Sequence, residues 1–315
     1  MAFGYQVLGF GSAPVSVAAA VWYGDRGVFA GGAVSNVIDY ITISSTGNAT
    51  DFGDLREAET SMGSHGSNGT RGVIASGSAF SDELQYITFA STGNTTDFGN
   101  LTAGIYNLTS VNNGTLGIWG GGATAPAAAY TNLIQYIRIA TTGDAADFNG
   151  DLLNPRSSLA SCNSDTRGVW GGGGEPAPVG YVDVIEYITM TVGTDGTDFG
   201  NLLRTNGSGP AGCSSAAGRG VFGGGYHPSG GVRIQELQYI AIATPGNSTD
   251  FGDLTTGKSN ISSCSNGTRG VWGGGFSCPT VYNAIDYVAI ATTGDAADFG
   301  DMTTARDTLG ACSGD

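Results

Sequence analysis

The sequence predicts an all-β fold, and within that class a β-propeller of six four-stranded blades. Three observations lead there. A tyrosine closing an apolar, acid-or-amide, Tyr triplet recurs at Tyr40, Tyr86, Tyr136, Tyr187, Tyr239 and Tyr287, and a phenylalanine follows each one twelve residues later, from Phe52 to Phe299. An Arg-Gly-Val-aromatic motif leading into small residues starts at Arg26, Arg167, Arg219 and Arg269, with RGVI at Arg71 and LGIW at Leu116. No stretch sustains the 3.6-residue apolar period of a helix, and a unit of about 40 to 50 residues with four short strands has the dimensions of a propeller blade.

Each unit opens on the Arg motif, a run of β-branched and aromatic residues that predicts a strand. Glycine pairs follow it, such as Gly31-Gly32 and Gly172-Gly173, where the missing side chain permits a tight turn. A phosphate-binding loop would need a helix after the glycines, and strand-forming sequence follows instead. Next comes a stretch of variable length, then the Tyr strand, apolar on both faces as in YIAIA from Tyr239, which suits a strand covered on both sides. Thr-Gly-Asn or Thr-Gly-Asp predicts the turn after it. The Phe strand carries Asp-Phe-Gly, with Asp51, Asp97, Asp147, Asp198, Asp250 and Asp298 ahead of the phenylalanines and Asn149 replacing the glycine in the third unit. A strand of small residues then leads to the next Arg. Cys162, Cys213, Cys264 and Cys312 share one place in that strand, too far apart across successive blades for disulfides, and are expected as buried free thiols, with Cys278 the outlier.

The six units span residues 26–315, and residues 1–25 form an N-terminal segment expected to close the ring or anchor an assembly. Residues 19–25 and residues 309–315 both align with the small-residue strand of the first unit, and only one can occupy it. The other would add an outer strand, begin a partial seventh blade or pair with another subunit, so seven blades is the runner-up. Residues 1–11 are the expected anchor.

A net charge of −15 argues against long-range attraction to nucleic acid or anionic lipid, and no apolar run is long enough to span a bilayer. Neither membrane insertion nor a secretory leader is signalled. The repeated arginines, Arg26, Arg71, Arg167, Arg219 and Arg269, take five of twelve basic residues and are expected to pair with the Asp-Phe-Gly aspartates of their own or an adjacent blade.

The order of aromatic strand, diglycine, Tyr strand and closing strand resembles the kelch repeat, with Asp-Phe-Gly where a kelch blade carries a tryptophan at a shorter interval. RGVWGGG, IEYIT, ATTGDAADFGD and SSCSNGTRG are also similar to propeller repeats of marine bacteriophage structural and tail-associated proteins. That resemblance, over residues 26–315, implies a virion structural or tail-fibre protein in an extracellular particle that recognises a host surface; a purely structural virion or filament docking protein and an intracellular kelch-type adaptor are the alternatives. Other virion proteins, a host cell-surface glycan or protein, and further copies of the chain would be its partners.

Catalysis is not expected. The kelch-like galactose oxidases need a copper site with histidine and tyrosine ligands, and this chain has two histidines, His65 and His227, in non-equivalent places. The boxes of sialidases are absent, and no unit breaks the repeat with a nucleophile and base. No cofactor is expected. Calcium is the alternative, from Asp295, Asp298 and Asp301 or Asn247, Asp250 and Asp253, because hard cations take oxygen ligands, although Asx turns explain the same residues. Binding is expected in the variable loops, approximately 33–37, 78–83, 123–132, 174–183, 226–234 and 276–283, since length variation in repeats maps to one face. The longest carry Tyr130, Tyr181, Tyr226, His227, Phe276 and Tyr282, whose flat faces suit sugar rings or protein surfaces.

Overall fold

The computed structural model describes residues 22–63, 65–77, 81–124, 129–229 and 231–315. These residues form strands and turns with no helix, and most of the strands lie in six four-stranded antiparallel sheets. Each sheet has the order small-residue strand, Arg strand, Tyr strand, Phe strand. In the fourth sheet these are Ala160–Asn163, Arg167–Gly171, Val184–Thr189 and Thr197–Asn201. Register repeats faithfully, the valine or isoleucine of the Arg motif facing the repeat tyrosine in every sheet, as in Val169↔Tyr187 and Ile118↔Tyr136.

Gly310–Gly314 occupies the contested strand of the first sheet, pairing with Arg26–Ala30 through Cys312↔Val28. The carboxyl-terminal strand therefore completes the sheet opened by the amino-terminal unit. Trp22 is displaced from that place and donates its indole N–H to Asp165 at 3.2 Å. The expected anchor, residues 1–11, and the segment as far as residue 21 lie outside the described residues.

The Asp-Phe-Gly motif is a β-bulge. In the fourth sheet Glu186 faces Asp198 and Ile185 faces Gly200, so Phe199 has no residue opposite it. The bulge leaves the aspartate exposed and buries the phenylalanine edge-on to its own tyrosine, with ring centroids 5.9 Å apart for Tyr187 and Phe199.

Six hydrophobic clusters lie between consecutive sheets rather than inside them. The aromatic residue of one Arg strand packs on the small residue that ends the preceding Arg strand: a Cβ on Gly273 would meet Phe29 at 2.7 Å, and one on Gly120 would meet Trp170 at 3.1 Å. The glycine of the Arg motif likewise makes room for the cysteine of the preceding sheet, as Gly27 does for Cys264. The four repeat cysteines are thus buried free thiols, while Cys278 is exposed. Burial pushes the Cys264 thiol up to about 12.

The turns clasp neighbours together. The turn Asx side chain accepts the N–H that follows Asp-Phe-Gly in the preceding sheet at all six junctions, from Asp54 to Asn94, Asn100 to Asp144, Asp151 to Asp195, Asn201 to Asn247, Asp253 to Asp295 and Asp301 to Asn48. The last of these binds the sixth sheet to the first. Gly300 shows why the motif needs glycine: its φ is +144°, and a Cβ there would meet Gly47 O at 2.5 Å.

The expected pairing of repeat arginines with Asp-Phe-Gly aspartates is not what forms. Each guanidinium lies over the tyrosine of its own sheet, 4.1 Å from the ring centroid for Arg167 and Tyr187, and donates to a backbone carbonyl of the next sheet. Those carbonyls belong to Phe89 for Arg26, Ile139 for Arg71, Ile242 for Arg167, Ile290 for Arg219 and Ile43 for Arg269. The aspartates point to solvent, where an ion pair would gain little, whereas a carbonyl at a sheet junction needs a donor. In the third sheet, where leucine replaces the arginine, Leu116 shares a core cluster with Met190.

Candidate functional site

The described parts of the variable loops leave the sheets at one end, between the Arg strand and the Tyr strand, and residues 78–80, 125–128 and 230 of these loops lie outside the described residues. Four of them form two-residue ribbons, the third to the sixth by unit: Ala123–Thr124 with Ala129–Tyr130, Gly174–Glu175 with Gly180–Tyr181, Tyr226–His227 with Val232–Arg233, and Phe276–Ser277 with Thr280–Val281. The glycine pair sets each ribbon's direction, with φ of +67° and +90° at Gly172 and Gly173.

The same cross-strand place holds different residues in each ribbon, and that difference opens or closes the space between neighbours. Ala123 faces Tyr130 and Gly174 faces Tyr181, a small residue opposite a large one. Tyr226 faces Arg233 instead. Tyr226 meets Tyr181 edge-on, with centroids 6.0 Å apart, and the Arg233 guanidinium lies 4.6 Å from Tyr226 and 5.2 Å from Phe276. The fourth, fifth and sixth ribbons are therefore joined by a continuous stack, Tyr181, Tyr226, Arg233, Phe276.

Between the third and fourth ribbons the small residues leave a cleft of about 640 Å³. Tyr106, Tyr130 and Tyr181 wall it, with Asn107, Ser157, Ser158, Ser208 and Glu175 as its polar lining. Tyr181 is fixed by packing on Gly207, where a Cβ would stand 2.0 Å from the ring, and by a 3.1 Å hydrogen bond between its hydroxyl and Ser208 Oγ. The inner end of the cleft belongs to a repeated feature. Ser61, Asn107, Ser158, Ser208, Asn260 and Thr308 occupy one place in the six units, and all have left-handed backbone with φ between 52° and 59°. Such a residue costs about 1–2 kcal/mol when it is not glycine. Successive members are joined through the backbone, Ser158 N donating to Asn107 O at 3.0 Å and Thr308 N to Asn260 O at 3.0 Å.

Of the six loop candidates, Tyr130 and Tyr181 line the cleft, Tyr226 and Phe276 belong to the stack, and Tyr282 lies 5.8 Å from Lys258 Nζ. His227 approaches Ser229 O through Nδ1 at 3.2 Å. The sequence reading missed Tyr106. Its signal was the break in pattern: five residues after the buried leucine or methionine that follows the Phe strand, other units carry Thr60, Ser157, Gly207, Ser259 and Asp307.

A second omission is a set of buried ion pairs. The acid or amide before each repeat tyrosine is buried, and where it is an acid the preceding unit supplies a buried cation: Arg306 to Asp39 at 2.5 Å, Lys258 to Asp286 at 2.8 Å, and Arg156 to Glu186. Burial pulls the Arg156 guanidinium down to about 10. Where the strand carries an amide the cation is missing, as with Gln238, for which the preceding unit has Asn206 in the cation's place, and Gln238 Oε1 accepts from Leu203 N and Ser248 Oγ at 2.8 and 2.6 Å. Of the calcium candidates, Asn247 and Asp295 spend an oxygen on the turn clasps, and among the described residues no group of three or more His, Cys, Asp or Glu is placed to hold a metal.

No protein-family model and no curated protein matches the chain.

Proposed function

We propose that the six sheets are the blades of a closed, kelch-like propeller. On this reading the protein is a non-enzymatic virion component that recognises a host cell-surface glycan or protein through its loop-bearing face. Ring closure is supported by the sixth clasp, from Asp301 to Asn48, and by contacts of the small-residue strands, which run from each sheet to the next and return from Gly310–Gly314 to Gly66–Ser67. The observation that carries the recognition reading is the tyrosine-walled cleft between the third and fourth ribbons, a concave polar-aromatic site carried on paired strands. The acidic balance keeps such a surface soluble and disfavours phosphate-rich partners.

A docking role for other virion subunits is the second reading, and exposed apolar residues favour it. Val179, Val232 and Val281 project from three neighbouring ribbons at 59%, 55% and 37% exposure. A map of the intact particle separates the two. A loop-bearing face directed outward, with array binding that Tyr130→Ala abolishes, supports recognition. The same face buried against a subunit supports docking, and absence of the chain from purified particles removes the virion assignment.

A further inference from the structure

We infer that the cleft between the third and fourth ribbons is a subsite for a neutral pyranose, with the ring on a tyrosine face and its hydroxyls on Glu175, Asn107 and the serines. The inference rests on the recognition reading and narrows it to one ligand chemistry.

Pyranoses present a face of polarised C–H bonds and a rim of hydroxyls. The first is complementary to the negative face of an aromatic ring, and the second needs donors and acceptors that lie beside the ring. The cleft provides both from different parts of the chain. Tyr106 comes from the segment after the second Phe strand, Tyr130 from the third ribbon and Tyr181 from the fourth. Asn107 and Glu175 add an amide that donates and accepts and a carboxylate that can accept from two adjacent hydroxyls.

Charge selects among sugars. Among the described residues no Lys, Arg or His lines the cleft and Glu175 is its one carboxylate, and the chain carries −15. A sialylated, sulfated or phosphorylated ligand would meet repulsion with no compensating donor of positive charge. An ammonium head group is the other partner for several tyrosines and one carboxylate. It needs a close cage, however, and this cleft has the volume of an ordinary small-ligand site, about 300–1,000 Å³, with serines and an amide along its floor. The next two junctions offer no such space, because Arg233 and the aromatic rings fill it between the fourth, fifth and sixth ribbons.

The test is saturation-transfer NMR on the full chain with maltotriose, cellotriose, chitotriose and mannotriose as neutral probes, and 3′-sialyllactose and choline as charged ones. At least one neutral trisaccharide should bind. Its affinity should fall by about tenfold in Tyr106→Ala and in Tyr130→Ala, the loss of one stacking face, and also in Glu175→Gln, which leaves every ring in place. His227→Ala, outside the cleft, should bind as the parent does. Binding of only sialyllactose or choline, or neutral-sugar binding indifferent to Tyr106→Ala and Glu175→Gln, overturns the inference. If no trisaccharide binds but the chain attaches to the cells its particle infects and Tyr106→Ala abolishes attachment, the sugar is wrong and the recognition reading stands. If neither sugar nor cell is bound, both fall.

Discussion

Arg219 shows how a repeated side chain is chosen by what its neighbours lack. Its guanidinium stacks 4.5 Å from the Tyr239 centroid and donates to Ile290 O and Ala291 O of the next sheet, each at 2.9 Å. Arg219→Met should therefore cost about 2 kcal/mol, the sum of charge-assisted bonds and a partly exposed cation–π contact. Asp250→Asn should stay within about 0.5 kcal/mol, as an exposed surface change does. Urea denaturation of both variants checks this, and equal losses would restore the ion pair that the sequence suggested. His65 offers a pH test at the same scale. Both ring nitrogens are buried without a hydrogen-bond partner among the described residues, and burial lowers the ring from 6.5 to about 3. Below pH 6.5 the unfolded chain takes up a proton that the folded chain refuses. The contribution is thus full above 6.5 and is lost as the pH falls toward 3, reaching about 2 kcal/mol at pH 5. His65→Leu should flatten the stability profile between pH 6.5 and 5, where most carboxylates stay ionised.

At the scale of elements, the junctions between sheets hold two interchangeable solutions to one burial problem. Glu186 meets Arg156 at one junction, and at the next the equivalent places hold Gln238, which accepts from Leu203 N, and Asn206, which donates to Gly224 O. Arg156 Nη1 donates to Gly172 O at 2.9 Å, and Asn206 Nδ2 donates to the equivalent Gly224 O at 2.7 Å. Glu186→Gln alone strands a buried cation and should cost about 3–5 kcal/mol. Adding Arg156→Asn copies the neighbouring junction and should recover most of that loss, as a double-mutant cycle in denaturant would measure. The clasp makes a similar contrast. Gly200→Ala drives a Cβ to 2.5 Å from Gly246 O at a φ of +145°, whereas a Cβ on Gly246 meets nothing within 4 Å. The first should destabilise by more than about 2 kcal/mol, and the second should change the melting temperature little.

For the whole molecule, cysteine accessibility reports on the junctions together. Cys162, Cys213, Cys264 and Cys312 are buried beneath the next sheet's Arg strand, and Cys278 is exposed. A thiol reagent should titrate one cysteine in the native protein and five after denaturation, out of the five present. Removing residues 310–315 takes the small-residue strand from the first sheet and its contact with Gly66–Ser67, and should expose the repeat thiols to the same reagent without denaturant.

The sequence by itself determined the all-β class, the six units, the four strands in each and the end from which the variable loops leave. Each of these follows from local periodicity, turn chemistry and a fixed interval between Tyr and Phe. Tertiary structure decided everything that depends on which unit lies beside which. It placed Gly310–Gly314 rather than residues 19–25 in the contested strand, sent Arg219 to Ile290 O rather than to an aspartate, and paired Arg156 with Glu186 across a junction. It also set Tyr130 and Tyr181 on a cleft, left Tyr226 and Phe276 to the stack that Tyr181 joins edge-on, and added Tyr106 from a different segment. The physical reason is that repeats encode a sheet almost locally, whereas the core of this molecule lies between sheets, so the residues that differ from unit to unit acquire meaning only against a neighbour.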